Sequence, residues 1–229
     1  MDQKFVNARS PLRLLEKSLH GGLGRGNLGV VLAGHGVGKA AFLVNLAIDD
    51  LLRGARVLHV ALDQTVAHVR AFYDTVFGDL GSSTHLDNLQ VAHADADRKR
   101  SIRTYASPSF GASKLREAVK VDSEVAGSPS LVIVEGWNLQ SASRDELADV
   151  KSLARELGAE IWLSHHCPGE KVEGVPPALG AVADLFSVVL ALEPENGAVA
   201  LRALKDHDNP DVSALRVSLD PRTLLLVRS

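Results

Sequence analysis

Residues 28–40 read Leu28-Gly-Val-Val-Leu-Ala-Gly-His-Gly-Val-Gly-Lys-Ala40, an apolar run followed by alternating glycines and a lysine. The run Leu28–Ala33 has the length and composition of a buried strand, and the glycines mark a tight turn. Helical spacing of apolar residues begins at Lys39 and continues to Arg53, and Gly54 stands where helices commonly end in a left-handed residue. The stretch therefore predicts a strand, a glycine-rich turn and a helix in direct succession.

The turn matches the central part of the Walker A pattern, Gly-x4-Gly-Lys-Ser/Thr, which binds phosphate groups. Gly38 and Lys39 match it, whereas Ala33 stands at its first glycine and Ala40 at its final hydroxyl residue. In that pattern backbone N–H groups and a helix N-terminus surround the phosphates, the lysine adds a full charge, and the hydroxyl binds magnesium. A glycine turn that binds no ligand is the alternative interpretation.

We therefore predict that the phosphates of ATP or ADP lie over this turn. The predicted cofactor-binding residues are Gly34, His35, Gly36, Val37, Gly38, Lys39, Ala40 and Ala41. Because the last position of the pattern carries a methyl group and no hydroxyl, we expect Mg²⁺ to bind weakly or not at all. We predict no protein metal site at His165-His166-Cys167, since adjacent residues at a strand end point in different directions.

The rest of the chain alternates apolar runs of strand length with longer helical stretches. Further strands are predicted at 56–62, 89–92, 131–134 and 161–164, and helices at 65–77, 113–125 and 145–157. After Ser187 no helix separates the apolar runs, which lie at 188–192, 199–204, 214–219 and 224–227. A parallel α/β part followed by antiparallel strands predicts a mixed sheet in a single domain over 1–229, with residues 1–19 as a lead-in segment.

Composition excludes several classes of protein. The chain has 229 residues, 45% of them hydrophobic, and a net charge of -3, so charge alone does not argue for nucleic-acid binding. The single cysteine, Cys167, rules out an intramolecular disulfide framework and fits a reducing cytoplasm, which is the predicted location. No apolar run approaches the roughly 20 residues of a membrane span, so we predict no membrane partner.

The loop and the segment before it, Gly21-Gly-Leu-Gly-Arg-Gly-Asn-Leu-Gly-Val-Val-Leu-Ala33, resemble the opening of RecA-like ATPases, in particular the DnaB helicase, RadA and KaiC branch. The resemblance extends from about Pro11 to the end of the chain. Its other motifs lie, in order, at 58–63, 131–135, 161–165, 182–190, 204–207 and 215–226. It implies a three-layer RecA-like P-loop NTPase sandwich of class α/β, with a mostly parallel central sheet and antiparallel C-terminal strands.

The resemblance also implies roles for individual residues. Asp63 stands where the family has its catalytic glutamate, Glu135 where it has the Walker B aspartate, and His165 where it has a polar γ-phosphate sensor. Lys205 matches the lysine of a "K-x-R" finger that reaches a neighbouring subunit's nucleotide, and His207 replaces the arginine of that finger. The carboxylates at 63 and 135 differ by one methylene from those expected, so several parts of the hydrolysis machinery are altered together.

Each of these residues has a purely structural alternative. Asp63 could cap the helix that begins near Thr65, because aspartate is a favoured cap. Glu135 could be a polar residue at a strand end that faces the crevice without metal, and Lys205 could be a solvated lysine. The basic residues of 98–103 could touch nucleic acid, but a solvated loop is the favoured interpretation because no aromatic residues are interleaved for base stacking.

Three functions remain open from sequence, and they leave open whether the chain is an enzyme. The leading hypothesis is an ATP- or ADP-binding protein with impaired or absent ATPase activity and a regulatory or assembly role. The second is an active ATPase of the DnaB or KaiC type that acts on DNA in an oligomer. The third is a pseudo-ATPase scaffold that binds no nucleotide. The resemblance implies a homo-oligomer or a related protein partner, with DNA as a further candidate partner.

Overall fold

The lead-in segment forms a short helix that packs onto the rest of the chain. The computed structural model describes residue 8 and residues 10–169, 171–172, 174–210, 212 and 214–229. Residues 1–7 and 9 of the predicted lead-in therefore lie outside the described residues. Helix α1 (Leu12–Ser18) was not predicted, and its buried leucines join the core together with Leu19 and Leu23, which follow it.

The predicted alternation of strands and helices is confirmed. The elements follow as β1 (Leu28–Ala33), α2 (Lys39–Leu52), β2 (Val57–Leu62), α3 (Val66–Thr84), α4 (Leu89–Lys99), β3 (Arg100–Tyr105), α5 (Ala112–Ala126), β4 (Leu131–Glu135), α6 (Arg144–Leu157) and β5 (Glu160–His166). The remainder comprises α7 (Pro177–Gly180), β6 (Val188–Glu195), β7 (Ala198–Asp206), β8 (Ala214–Leu219) and β9 (Leu226–Arg228). Two short 3-10 turns lie at Ser107–Ser109 and Ala183–Leu185.

All nine described strands belong to one mixed sheet, in the order β3-β2-β4-β5-β1-β6-β7-β8-β9. Strands β1 to β6 run parallel to one another, whereas β7, β8 and β9 extend the sheet beyond β6 as antiparallel strands. The predicted α/β class, with a mostly parallel sheet and antiparallel C-terminal strands, is therefore confirmed. Parallel strands covered on both faces are predominantly apolar, and β1 and β2 are buried along their whole length.

Helices cover both faces of the sheet. One apolar cluster joins α1, α2, α3 and α4 to one face, and a second joins α5 and α6 to the other. Helix α6 shows how local sequence sets the boundaries: Ser143 and Glu146 form a reciprocal capping box at its start, and Gly158, with φ 60°, ends it. None of the helices in the described ranges has both the length and the apolar character that crossing a bilayer requires.

The region from 89 to 105 contradicts two predictions. Residues 89–92, predicted as a strand, begin helix α4, because Ala92 and Ala96 form a buried stripe at helical spacing. The basic residues of 98–103 do not form a solvated loop, since strand β3 starts at Arg100. The Arg100 guanidinium is 5% exposed, lies 4.4 Å from the centre of the Tyr73 ring and pairs with Asp97.

Candidate functional site

A crevice of about 830 Å³ lies at the carboxyl ends of the central strands. It is bordered by the glycine turn after β1, the first turn of α2, and the segments that follow β4 and β5. In open parallel sheets this edge is where ligands bind, at the point where neighbouring crossovers diverge. Of the predicted site residues, those that line the crevice are Glu135, His165 and the loop residues His35, Gly36, Gly38, Lys39, Ala40 and Ala41, whereas Gly34 and Val37 are not among the described lining residues.

The turn between β1 and α2 depends on two of its glycines. Gly36 and Gly38 adopt φ values of 74° and 124°, which side-chain-bearing residues rarely adopt. The carbonyl of Gly38 accepts the N–H of Phe42, and no side chain caps α2 among the described residues. The N–H groups of Lys39, Ala40 and Ala41 are thus left without intrahelical acceptors, next to the positive end of the helix dipole.

Lys39 borders the crevice, and its ammonium group folds back over the turn. Its Nζ donates hydrogen bonds to the carbonyl of Ala33 at 3.0 Å and to that of Gly34 at 2.8 Å. Burial lowers the pKa of Lys39, while the nearby Cys167 and Glu135 act in the opposite direction. A positive charge is therefore positioned beside the free N–H groups of the turn.

Strand β4 ends at Glu135, beneath the first turn of α2. His59, on the neighbouring strand β2 of the sheet, lies against the Glu135 side chain. The Nε2 of His59 is 3.4 Å from a carboxylate oxygen of Glu135, and its Nδ1 is 3.0 Å from the Tyr73 hydroxyl. His59 is 1% exposed, so this imidazole is buried. Tyr73 is fully buried as well, and burial raises its pKa.

The end of β5 supplies a second group of polar side chains. Ser164 is buried, and its Oγ accepts the N–H of Gly136 at 3.2 Å, which ties the segment after β4 to β5. His165 is also buried, and desolvation, with smaller contributions from the neighbouring His166 and Lys39, lowers its pKa. His165 is thus a neutral imidazole near neutral pH, able to contact an anion as a hydrogen-bond donor.

Asp63 is separated from the other predicted site residues. It is exposed, has a φ of 54°, and is not among the described residues that line the crevice. Its carboxylate accepts the backbone N–H of Ser107 at 3.0 Å, and this bond lowers the pKa of Asp63. The alternative in which Asp63 caps helix α3 is wrong, because the Thr65 side chain accepts the N–H of His68 at that helix start.

The predicted finger segment makes contacts within its own chain. The Nζ of Lys205 donates to the carbonyls of Ala183 and Phe186, at 2.9 and 2.6 Å. The neighbouring His207 contacts the buried Asp206 through Nδ1 and the carbonyl of Leu23 through Nε2. A trans role for Lys205 stays a prediction, and it would require both of its hydrogen bonds to be exchanged for contacts with a neighbouring subunit.

Sequence reasoning missed His59, Ser164 and the aromatic side of the crevice, which includes Phe72 and Trp137. The sequence did contain a signal for His59, since a lone histidine within the apolar run 57–62 needs a buried polar partner. The signal did not identify that partner, because Glu135 lies 76 residues further along the chain, from 59 to 135. Phe72 and Trp137 carry only the ordinary apolar signal of core residues.

Among the described residues, one trio of possible metal ligands, Asp74, His93 and Asp97, lies outside the crevice. The Nε2 of His93 contacts Asp74 at 2.9 Å, whereas its Nδ1 faces Asp97 at 3.8 Å. The two carboxylates thus use opposite sides of the ring, and Asp97 also pairs with Arg100. Because a single ion binds only one imidazole nitrogen, the geometry favours a network of charges over a metal centre.

The residues at the expected magnesium position do not fit Mg²⁺. Magnesium requires oxygen ligands in nearly octahedral geometry. Position 40 offers a methyl group, and the carboxylate of Glu135 has an imidazole nitrogen as its neighbour.

A scan against protein-family models finds no match to this chain, and a search of curated proteins finds no significant relative.

Proposed function

We propose that this chain is a RecA-like nucleotide-binding protein that holds the phosphates of ATP or ADP at residues 34–41 and hydrolyses ATP slowly or not at all. The observation that carries the proposal is the joint geometry of the turn and Lys39. The free N–H groups at the start of α2 and the ammonium group border the same crevice. Such a combination binds anionic phosphate groups by hydrogen bonds and by charge.

Three observations support impaired hydrolysis. Asp63 is held by Ser107 and does not line the crevice with the other described residues. Position 40 has no hydroxyl for a metal, and Glu135 lies against His59. Because a general base must come within hydrogen-bond reach of the attacking water, a carboxylate outside the crevice contributes little to that step. A protein that binds ATP or ADP without rapid hydrolysis is suited to a regulatory or assembly role.

The fold supports the RecA-like part of the proposal. The sheet is mostly parallel and continues into antiparallel C-terminal strands, as the family resemblance implies, and the glycine turn directly follows β1, which lies between β5 and β6. Oligomer formation, a related protein partner and DNA binding remain predictions from the resemblance.

Nucleotide titration of the full chain tests the proposal. Trp137 borders the crevice and is a fluorescent reporter of binding there. We expect ATP and ADP each to change its emission in a saturable way, with or without Mg²⁺. Lys39→Ala should abolish the response, and Lys120→Ala, which removes an exposed lysine from α5, should leave it unchanged. Absence of any response at millimolar nucleotide would contradict nucleotide binding.

A scaffold that binds no nucleotide is the second candidate, and one observation favours it. Lys39 already satisfies its ammonium group with the carbonyls of Ala33 and Gly34, so phosphate must displace protein hydrogen bonds. The same titration separates the two functions, because a scaffold gives no signal with the wild-type chain. Magnesium-dependent phosphate release lost in Lys39→Ala would instead identify an active ATPase.

A further inference from the structure

The most unusual polar group in the core is the Nε2 atom of His59. The side chain is 1% exposed, and this nitrogen has no hydrogen-bond partner among the described residues. Its other nitrogen, Nδ1, is satisfied by the Tyr73 hydroxyl at 3.0 Å. Buried polar atoms in folded proteins are normally paired, and one that is not calls for a specific explanation such as an ion or a water.

A carboxylate oxygen of Glu135 lies near His59 Nε2, and its position indicates what kind of group could bind between the two side chains. Strands β2 and β4 pair with Ala61 opposite Glu135, so His59 lies diagonally across from Glu135 on the same face of the sheet. The distance of 3.4 Å between His59 Nε2 and a Glu135 oxygen exceeds that of an ordinary N–H···O hydrogen bond. Two ligand atoms that each lie about 2.1 Å from one tetrahedral ion are about 3.4 Å apart.

The surroundings leave room for the rest of a coordination shell. A cavity of about 110 Å³ is bordered by His59 and Glu135 and also by Ala40, Gln64 and His68. Its volume exceeds that of one water molecule, so solvent can occupy further ligand positions. Since Ala40 belongs to the first turn of α2, the cavity adjoins the predicted phosphate site.

Tyr73 prepares the imidazole for this role. The Tyr73 hydroxyl lies 3.0 Å from Nδ1 of His59 and can accept a hydrogen bond from the N–H group at that position. With the proton on Nδ1, the lone pair of Nε2 is directed towards Glu135. A metal-binding histidine commonly has its other nitrogen fixed in this way by a second residue.

We propose that His59 and Glu135 bind a divalent transition-metal ion of the zinc and cobalt class at the position where the family resemblance implies magnesium. A nitrogen ligand shifts the preference away from Mg²⁺, which takes oxygen ligands, towards ions that accept imidazole. Solvent fills the remaining positions in the free protein. The site lies beside the phosphate turn but needs no nucleotide to form, so it does not depend on the proposed function.

The test is a titration of the full chain, purified without a histidine tag and without nucleotide, with Co²⁺ as the probe. Tetrahedral Co²⁺ with a nitrogen ligand gives visible absorption, which Zn²⁺ should abolish by displacement and excess Mg²⁺ should not. We expect His59→Gln and Glu135→Gln each to weaken Co²⁺ binding by about tenfold or more. His93→Gln is the matched control, because it removes a histidine from the other candidate trio, and binding should persist.

Tyr73→Phe adds a readout that keeps both ligands in place. Loss of the hydroxyl that holds Nδ1 should weaken Co²⁺ binding by roughly tenfold. If His59→Gln fails to fold, Glu135→Gln at the crevice edge decides the matter alone. The proposal is overturned if Co²⁺ absorption is absent, if it survives in Glu135→Gln, if it disappears in His93→Gln, or if Mg²⁺ displaces the ion as readily as Zn²⁺.

Discussion

The indole ring of Trp162 occupies the space that a side chain at Gly29 would need. The two residues are directly paired on the neighbouring strands β5 and β1, and a Cβ at position 29 would lie 2.8 Å from ring carbon Cε3. On its other side the ring meets Phe42 of α2 edge-on, with the ring centres 5.7 Å apart. The glycine therefore lets the helix that follows the phosphate turn pack onto the sheet through an aromatic pair.

We expect Gly29→Ala to lower the free energy of unfolding by about 1–3 kcal/mol, because the methyl group forces the Trp162 ring or the strand to move. Denaturant unfolding followed by circular dichroism measures the change. Gly78→Ala is the control, since Gly78 is helical and a Cβ added there would have no neighbour within 4 Å. That change should stabilise by about 0.5–1 kcal/mol. Equal effects of the two changes would contradict the packing role.

Asn45 fastens the C-terminal hairpin to α2. Its Nδ2 donates to the Leu224 carbonyl at 2.7 Å, and its Oδ1 accepts the N–H of Leu226 at 3.2 Å. We expect Asn45→Ala to destabilise the chain by about 1–3 kcal/mol, because backbone groups lose their partners. Hydrogen exchange at the Leu226 amide should become faster relative to amides of β1. Unchanged exchange at Leu226 would show that the hairpin is held by other contacts.

Adding a hydroxyl at position 40 should restore a magnesium response. Ala40→Ser supplies the oxygen that the Walker A pattern has there. We expect Mg²⁺ to strengthen ATP binding by about tenfold in this variant, the effect of one charge-assisted ligand contact, and to have little effect on the wild-type chain. Trp137 fluorescence measures both affinities. A magnesium effect of equal size in the two proteins would refute the role assigned to Ala40.

Glu160 should make stability depend on pH. Burial, aided by the nearby Asp50, raises the pKa of Glu160 above its ordinary value, although Trp162 and Gly24 donate to its carboxylate. A carboxyl group with a raised folded-state pKa favours folding below its unfolded value and loses that contribution as pH rises through the raised pKa. Glu160→Gln should therefore raise the melting temperature at pH 7.

The gain from Glu160→Gln should shrink as the pH is lowered towards 4, because the wild-type carboxyl becomes increasingly protonated in both the folded and the unfolded state. The exposed Glu124 on α5 provides the control, because Glu124→Gln removes the same formal charge without a buried carboxyl. Thermal unfolding at both pH values completes the comparison. A constant or inverted difference between Glu160→Gln and wild type would argue against the buried carboxylate as its cause.

Sequence predicted those parts of the fold that strong local patterns encode. Buried parallel strands such as β1 and β4 are uninterrupted apolar runs, and the antiparallel tail is marked by turn residues between such runs. Strand β3 was not predicted. It lies at the edge of the sheet and all of its residues are half-buried, so its sequence has no clear apolar pattern. Helix α1 was not predicted either, because it is stabilised by packing against core residues that are distant in the sequence.

The site was predicted where one continuous segment forms it and was missed where distant segments meet. The turn and Lys39 are local, so spacing was sufficient to place them on the crevice. The pairing of His59 with Glu135 depends on the order of β2 and β4 in the sheet, which one sequence does not display. Asp63 was predicted to belong to the same site as Glu135 because it directly follows β2, yet its left-handed backbone and the Ser107 hydrogen bond hold it away from the residues that line the crevice.

The polar residues of the edge strand β3 also affect whether two molecules of this protein can associate through that edge of the sheet. An edge strand presents unpaired N–H and C=O groups that could add a strand from a second chain, and inward-pointing charges discourage this. Arg100 and Arg103, three residues apart, place guanidinium groups on opposite faces of that edge. Continuous intermolecular sheets are thus disfavoured along β3, and any assembly of this chain should form through another surface.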